Sequence, residues 1–278
     1  MKKYLRWIIS ISLLLFVAYE YQPARYYALF CLDKKAEPGG QWNSAYDGYF
    51  LAANGCFYDP AKVAVKNIPA FHLDSTNKGA SPLWYINGAN LRADWVLAQM
   101  YRLAESSGRP VITIYNSTLG GRFLDAPGDA LQGSLATFTA EKVIIEALAL
   151  EEKIFFQVNS QGAMHMATVL RNTVKQVQAK QLKNIHVLTA GGAASEFPDG
   201  PVYVHLVNEK DPVPSGAGVV SKGAKPGFNA EIIRFSAKDP QPMEEGFRFF
   251  DPLTKIFLSV HGLMAYQEHF PESFQASP

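Results

Sequence analysis

Ile154-Phe155-Phe156-Gln157-Val158-Asn159-Ser160-Gln161-Gly162-Ala163-Met164-His165 is the stretch on which the fold turns. Ile154 to Val158 is apolar and rich in β-formers, the composition of a buried strand. A run of helix-forming residues starts almost at once, and its spacing predicts a helix over Gln161 to Lys180. Strand, sharp turn and helix therefore meet at Ser160. Such a turn needs small neighbours, and Gly162 and Ala163 supply them. Ser160 also stands at the helix N-terminus, where peptide dipoles favour developing negative charge. The plain alternative is that Ser160 caps the helix, because serine is a preferred N-cap.

Outward from this stretch the chain alternates. Leu83 to Asn87 reads as a strand closed by Gly88, and Ala93 to Ser106 as a helix with Trp95, Val96, Met100 and Leu103 on one side. Gly108-Arg109-Pro110 stops that helix, and Val111 to Tyr115 is a β-branched buried strand. Ala136 to Leu150 is helical, and Ile185 to Leu188 and Val202 to Val207 are further strands. Ahead of this array, Gly48 to Ala53 and Lys62 to Ile68 read as two strands around the turn signals Asn54-Gly55 and Asp59-Pro60. Strands alternating with helices of this length predict an α/β fold, a mostly parallel central sheet with helices on both faces. Its site is expected at the carboxyl ends of the strands.

The segment around Ser160 resembles the nucleophile elbow of the α/β-hydrolase superfamily, whose usual form is G-x-S-x-G. Gly162 matches the second glycine, and Val158 stands where the first is usual. The resemblance extends over roughly residues 80 to 270 and lies in the joint order of the parts. It implies a catalytic triad in the order Ser160, Asp211, His261. Asp211 follows the strand Val202 to Val207, and Pro212 biases it to extended backbone. Glu209 is its nearest rival and Asp199 a weaker one. His261 follows the apolar run Ile256 to Leu258 and precedes an expected final helix, with Tyr266 nearby and His269 as second choice. His72, His165, His186 and His205 read as structural. The oxyanion donors implied are the Gln161 N–H and, from the loop after the strand ending at Asn87, Ala89 or Gly88. The segments at Tyr115-Asn116-Ser117-Thr118, at Asp129-Ala130-Leu131-Gln132 and at Asn208 to Pro214 are similar to those of bacterial lipase- or esterase-like members. The implied activity is hydrolysis of a carboxylic ester through an acyl-enzyme. An acyltransferase or thioesterase would use the same residues, and a non-catalytic binding module tethered to the membrane would use none of them. The stretch Pro214 to Asp251, rich in Gly and Pro, is expected to cover the site.

Composition narrows the rest. Of 278 residues 48% are hydrophobic and 18% charged, enough for a sizeable core. A formal net charge of +1 offers no basic excess for nucleic acid. The six histidines are scattered without HExxH or paired CxxC spacing, so neither a metal nor another cofactor is expected. Lys2, Lys3 and Arg6 precede the apolar run Trp7 to Tyr19, the order of an export signal. As a helix that run spans only ~20 Å against a hydrocarbon core of ~30 Å, and flanking aromatics such as Tyr21 and Tyr26 extend it. It reads as an uncleaved anchor, with a cleaved signal or a buried helix as alternatives. The expected organisation is thus a signal anchor or signal peptide over 1–22, a connector over 23–45 and an α/β-hydrolase domain over 46–278. The domain is expected on the periplasmic side of a bacterial inner membrane, or released there after cleavage. Cys31 and Cys56 are either a disulfide in that oxidising compartment or two thiols.

Overall fold

In the computed structural model, residues 37–38, 46–74, 77, 79–89, 91–118, 134–236 and 260–276 are described. The expected signal segment, nearly all of the expected connector, Cys31, Asn90, the Asp129–Gln132 stretch and the later part of Pro214–Asp251 lie outside them. Within them the strands are β1 (Glu37–Pro38), β2 (Phe50–Leu51), β3 (Cys56–Tyr58), β4 (Leu83–Ile86), β5 (Val111–Ile114), β6 (Ile154–Asn159), β7 (Ile185–Ala190), β8 (Val202–Asn208) and β9 (Glu231–Phe235). The helices are α1 (Ala93–Ser107), α2 (Leu135–Ala149), α3 (Gln161–Thr173), α4 (Ala179–Leu182), α5 (Pro212–Gly216) and α6 (Met264–Gln267).

The strands form one sheet in the order β1-β3-β2-β5-β4-β6-β7-β8-β9. From β5 to β9 every pairing is parallel, whereas β2 pairs antiparallel with β5 and β3. All of β4, β5 and β6 is buried, as expected of strands covered on both faces. The pleat sends alternate residues to opposite sides. Trp84, Ile86, Phe156 and Val158 join the core under α2 and α3, with Val143, Ile144, Met166 and Leu170. Leu83, Tyr85 and Phe155 join the core under α1 and α6, with Val96, Met100, Leu103 and Tyr266. The predicted parallel sheet with helices on both faces is therefore present.

Three elements differ from the sequence expectation. Lys62 to Ile68 is not a strand but contains a single 3-10 turn, Val65–Asn67. The reason lies at Asp59, whose carboxylate accepts from Ala61 N and whose carbonyl accepts from Lys62 N and Val63 N, which curls the chain at once. The partner of β2 is β3, directly after the turn, where Gly55 takes φ +72° and Ala52 N donates to Cys56 O. The predicted helix Gln161–Lys180 stops at Thr173, whose hydroxyl donates back to Val169 O, and α4 starts afresh. Finally, Pro214–Asp251 contributes β9 to the sheet edge, where the sequence suggested only a cover. Exposed Glu231 and Arg234 interrupt its apolar residues, as edge strands commonly require.

Among the described residues no helix is long and apolar enough to cross a membrane. Cys56 is disulfide-bonded.

Candidate active site

The turn after β6 is sharp in the way the sequence required. Ser160 takes φ +51° and ψ −118°, a conformation a β-carbon disfavours. Three backbone bonds hold it there: Ser160 N donates to Ala190 O, and Ser160 O accepts from Ala163 N and Ala193 N. Gly162 explains how helix and strand come so close. A Cβ on it would stand 2.4 Å from Ile86 O. Val158, where the superfamily usually has glycine, is buried beside Ile86 in the core, so its side chain has a place without one. Ser160 makes no side-chain cap bond to α3. Its hydroxyl faces elsewhere.

That hydroxyl lies 2.8 Å from His261 Nε2. The other ring nitrogen, Nδ1, lies 2.7 Å from Asp211 Oδ2. Asp211 is buried, and its second oxygen accepts from Val213 N at 2.9 Å as the N-cap of α5. Pro212 at the first position of that helix leaves Asp211 extended, at φ −83° and ψ 118°. Ser160, Asp211 and His261 thus come together from three separated parts of the chain. Asp211 Oδ2 also accepts from the Tyr266 hydroxyl, a contact the sequence reading did not assign. Burial and the adjacent carboxylate push the Tyr266 phenol far above its ordinary range.

The expected oxyanion region lies against the same serine. A Cβ on Gly88 would stand 3.0 Å from Ser160 Cβ, so the loop after β4 touches the elbow. Ala89 is half-buried beside it, and Gln161 opens α3, adding the partial positive charge of a helix N-terminus. A buried amide cluster ties these pieces together. Asn116 Nδ2 donates to Gln161 Oε1 at 2.9 Å and to Asn87 O at 3.3 Å. Asn116 N donates to Asn87 Oδ1, and Asn87 Nδ2 donates to Gly88 O and Asn116 O. Thr118, at φ +52°, donates from its hydroxyl to the same Gln161 oxygen and from its N–H to Asn116 Oδ1. Below it, buried Asp47 accepts from Ser117 N, Ser117 Oγ and Ala136 N, while desolvation raises its pKa against those bonds. The sequence did carry a signal for this cluster: Asn87 and Asn116 each follow an apolar strand at its carboxyl end.

The rival residues lie elsewhere. Glu209 is exposed, and Asp199 accepts from Phe228 N. His269 stacks on Phe235 with ring centroids 3.8 Å apart. His165 bonds Ser134 and Thr137, His205 bonds Thr189 and Pro226 O, and His186 stacks on Phe155. His72 is exposed and bonds Ala70 O. Among the described residues no group of His, Cys, Asp or Glu is arranged to hold a metal.

The site can accept a proton from a serine at a histidine held by a buried carboxylate, beside a helix N-terminus. Comparison with family models and with curated sequences gives no match. Among solved structures the chain is similar to EstE1, a thermophilic and thermostable carboxylesterase cloned from a metagenomic library. The two are 11% identical, with 91% of this chain and 96% of that one covered, at a TM-score of 0.35. So loose a superposition bears on neither activity nor mechanism. The described residues give the chain an α/β fold, a mostly parallel sheet with helices on both faces, in which Ser160 after β6 and Asp211 after β8 meet His261 at the carboxyl ends of the strands.

Proposed function

We propose that this chain is a serine hydrolase of carboxylic esters. The observation that carries the reading is the continuous hydrogen-bonded series from Ser160 Oγ through His261 to Asp211. In this reading Ser160 Oγ attacks the ester carbonyl carbon as His261 Nε2 takes its proton. The oxyanion is held by the N–H groups of Gln161 and Ala89, with Gly88 lining the approach. The tetrahedral adduct collapses, the C–O bond to the alcohol breaks, and His261 returns the proton to the departing oxygen. Water, deprotonated by His261, then attacks the acyl carbon, the bond to Ser160 Oγ breaks as His261 returns the proton to that oxygen, and the carboxylic acid is released. Asp211 holds the imidazole in the tautomer with Nδ1 protonated and stabilises the imidazolium.

The disulfide at Cys56 supports the oxidising, exported location read from the N-terminus. The N-terminal segment is proposed as the contact with the membrane. A lipid or other acyl ester is a reasonable first substrate for a tethered enzyme.

A fluorophosphonate probe and a series of p-nitrophenyl esters test the reading. Wild type is expected to be labelled and to turn over. Ser160→Ala is expected to lose labelling and at least about 10³-fold in kcat. Near-native turnover by Ser160→Ala would overturn the assignment. A folded wild type that neither labels nor turns over would point to the non-catalytic module.

A further inference from the structure

We propose that Tyr266 is a fourth member of the Ser160–His261–Asp211 series, a positioning residue that sets how strongly Asp211 draws on His261. The proposal rests on the reading of that series as a triad.

The geometry is specific. Tyr266 Oη and His261 Nδ1 converge on one oxygen of Asp211, Oδ2, while Val213 N occupies the other. The Asn208 backbone at the end of β8 lies beside the phenol and opposes the rise in its pKa. Asn208 also bonds the residue before His261, its Nδ2 donating to Val260 O at 3.0 Å. Tyr266 is 1% exposed and Asp211 2%, so water does not compete for the carboxylate. Gly191, in the left-handed region at φ +57°, passes over the junction, and a Cβ there would lie 2.8 Å from both Asp211 Oδ2 and Tyr266 Oη. Three chain segments have thus been shaped around a phenol–carboxylate contact.

Its chemical consequence follows from charge. A carboxylate oxygen that accepts two bonds shares its negative charge between them. Tyr266 stabilises the ionised form of a buried carboxylate and withdraws density from the bond to His261. The phenol stays protonated across the working range, because burial and Asp211 both raise its pKa. It therefore acts as a fixed donor and takes no part in proton transfer. Among the described residues the titratable groups at the junction are Asp211 and Tyr266 themselves and His261. Around them, Glu209 and Lys210 are exposed, β9 presents Phe235 to Tyr266 with His269 stacked behind it, and α1 adds Val96, Met100 and Leu103 to the same core. The loop after β7 brings Gly191 to this point.

Tyr266→Phe removes the donor and keeps the ring. With the full charge of Oδ2 facing it, His261 becomes more basic. The acid limb of the kcat/KM profile is expected to move up by about 0.5–1 pH unit, and kcat to fall about tenfold with KM little changed. Site-specific 3,5-difluorotyrosine at 266, a stronger donor of nearly the same shape, is expected to move the limb down. It also serves if Tyr266→Phe does not fold. The downfield proton resonance of the His261–Asp211 bond, followed against pH, reads the same shift without any substrate. Opposite shifts in the two variants support the proposal. A limb and resonance unmoved in a folded variant overturn it and leave Tyr266 as packing. If wild type hydrolyses no ester, the enzymatic reading fails, while the resonance still reports on Tyr266.

Discussion

Gly191 shows how much of the site depends on single atoms. Its left-handed backbone and missing side chain let Asp211 and Tyr266 meet. Gly191→Ala adds a methyl group that overlaps both oxygens and strains a positive φ. The variant is expected to lose about 1–2 kcal/mol of stability and on the order of 100-fold in kcat/KM, because displacing the acid misdirects the histidine. Steady-state kinetics beside urea unfolding checks both. Unchanged kinetics would mean that the acid tolerates displacement. Ser160 makes the complementary point. Serine before a helix reads as cap or nucleophile, and its φ of +51°, its unused cap position and its contact with His261 Nε2 support the second reading.

The elements are assembled so that loops after different strands meet. β4, β5 and β6 end side by side in parallel register, which brings Asn87, Asn116 and Gln161 within one hydrogen-bonded cluster. Asn116→Ala removes two donors and one acceptor from fully buried partners. Leaving such groups unsatisfied costs about 1–3 kcal/mol each, partly relieved by relaxation. The variant is expected to be destabilised by about 2–4 kcal/mol, with kcat about tenfold lower as the Gly88–Ala89 loop loses its tie to Gln161. Chemical denaturation and kinetics at saturating ester test this. If kcat is unchanged while stability falls, the cluster supports the fold and not the chemistry. At this scale the sequence read best where hydrophobic runs were long, as in β6 and α1. It read poorly where pairing partners decided the outcome. β3 is three residues long and β9 lies at the edge. Neither has a pattern of its own strong enough to declare a strand, because each is stabilised by its neighbour's unpaired amides.

Across the whole molecule, histidines buried away from the site couple stability to pH. His165 and His205 are fully buried, and desolvation pushes both down to about 4. His205 is satisfied as the neutral ring, with Nε2 donating to Pro226 O and Nδ1 beside the Thr189 hydroxyl. The unfolded chain protonates these residues near their ordinary ~6.5. Between that value and about 4 it therefore binds more protons than the folded chain, and stability falls as pH falls. The contribution is fully present above ~6.5. Asp47 works with the opposite sign, because its raised pKa lets the folded state keep a proton that the unfolded state has lost. With His186 likewise pushed down to about 4 by desolvation, three histidines stand against one raised carboxylate, and the urea midpoint is expected to drop from pH 7 to pH 4.5, by the equivalent of on the order of 2 kcal/mol or more. The drop is expected to flatten in His165→Gln. An unchanged midpoint in wild type would show that these rings are not held neutral.

The sequence by itself determined the parallel array and its direction. Buried strands announce themselves by composition, and helices between them leave right-handed crossovers as the rule. Through its resemblance to the α/β-hydrolase superfamily it also pointed to Ser160, Asp211 and His261. What only the tertiary structure decided was contact across the sheet: Tyr266 on Asp211, Asn116 between Asn87 and Gln161, Gly191 over the junction, and the curl at Asp59 in place of a strand. These depend on which loops meet at the carboxyl edge and how closely their backbones approach. A one-dimensional pattern records neither, since distance between residues remote in the chain is set by packing.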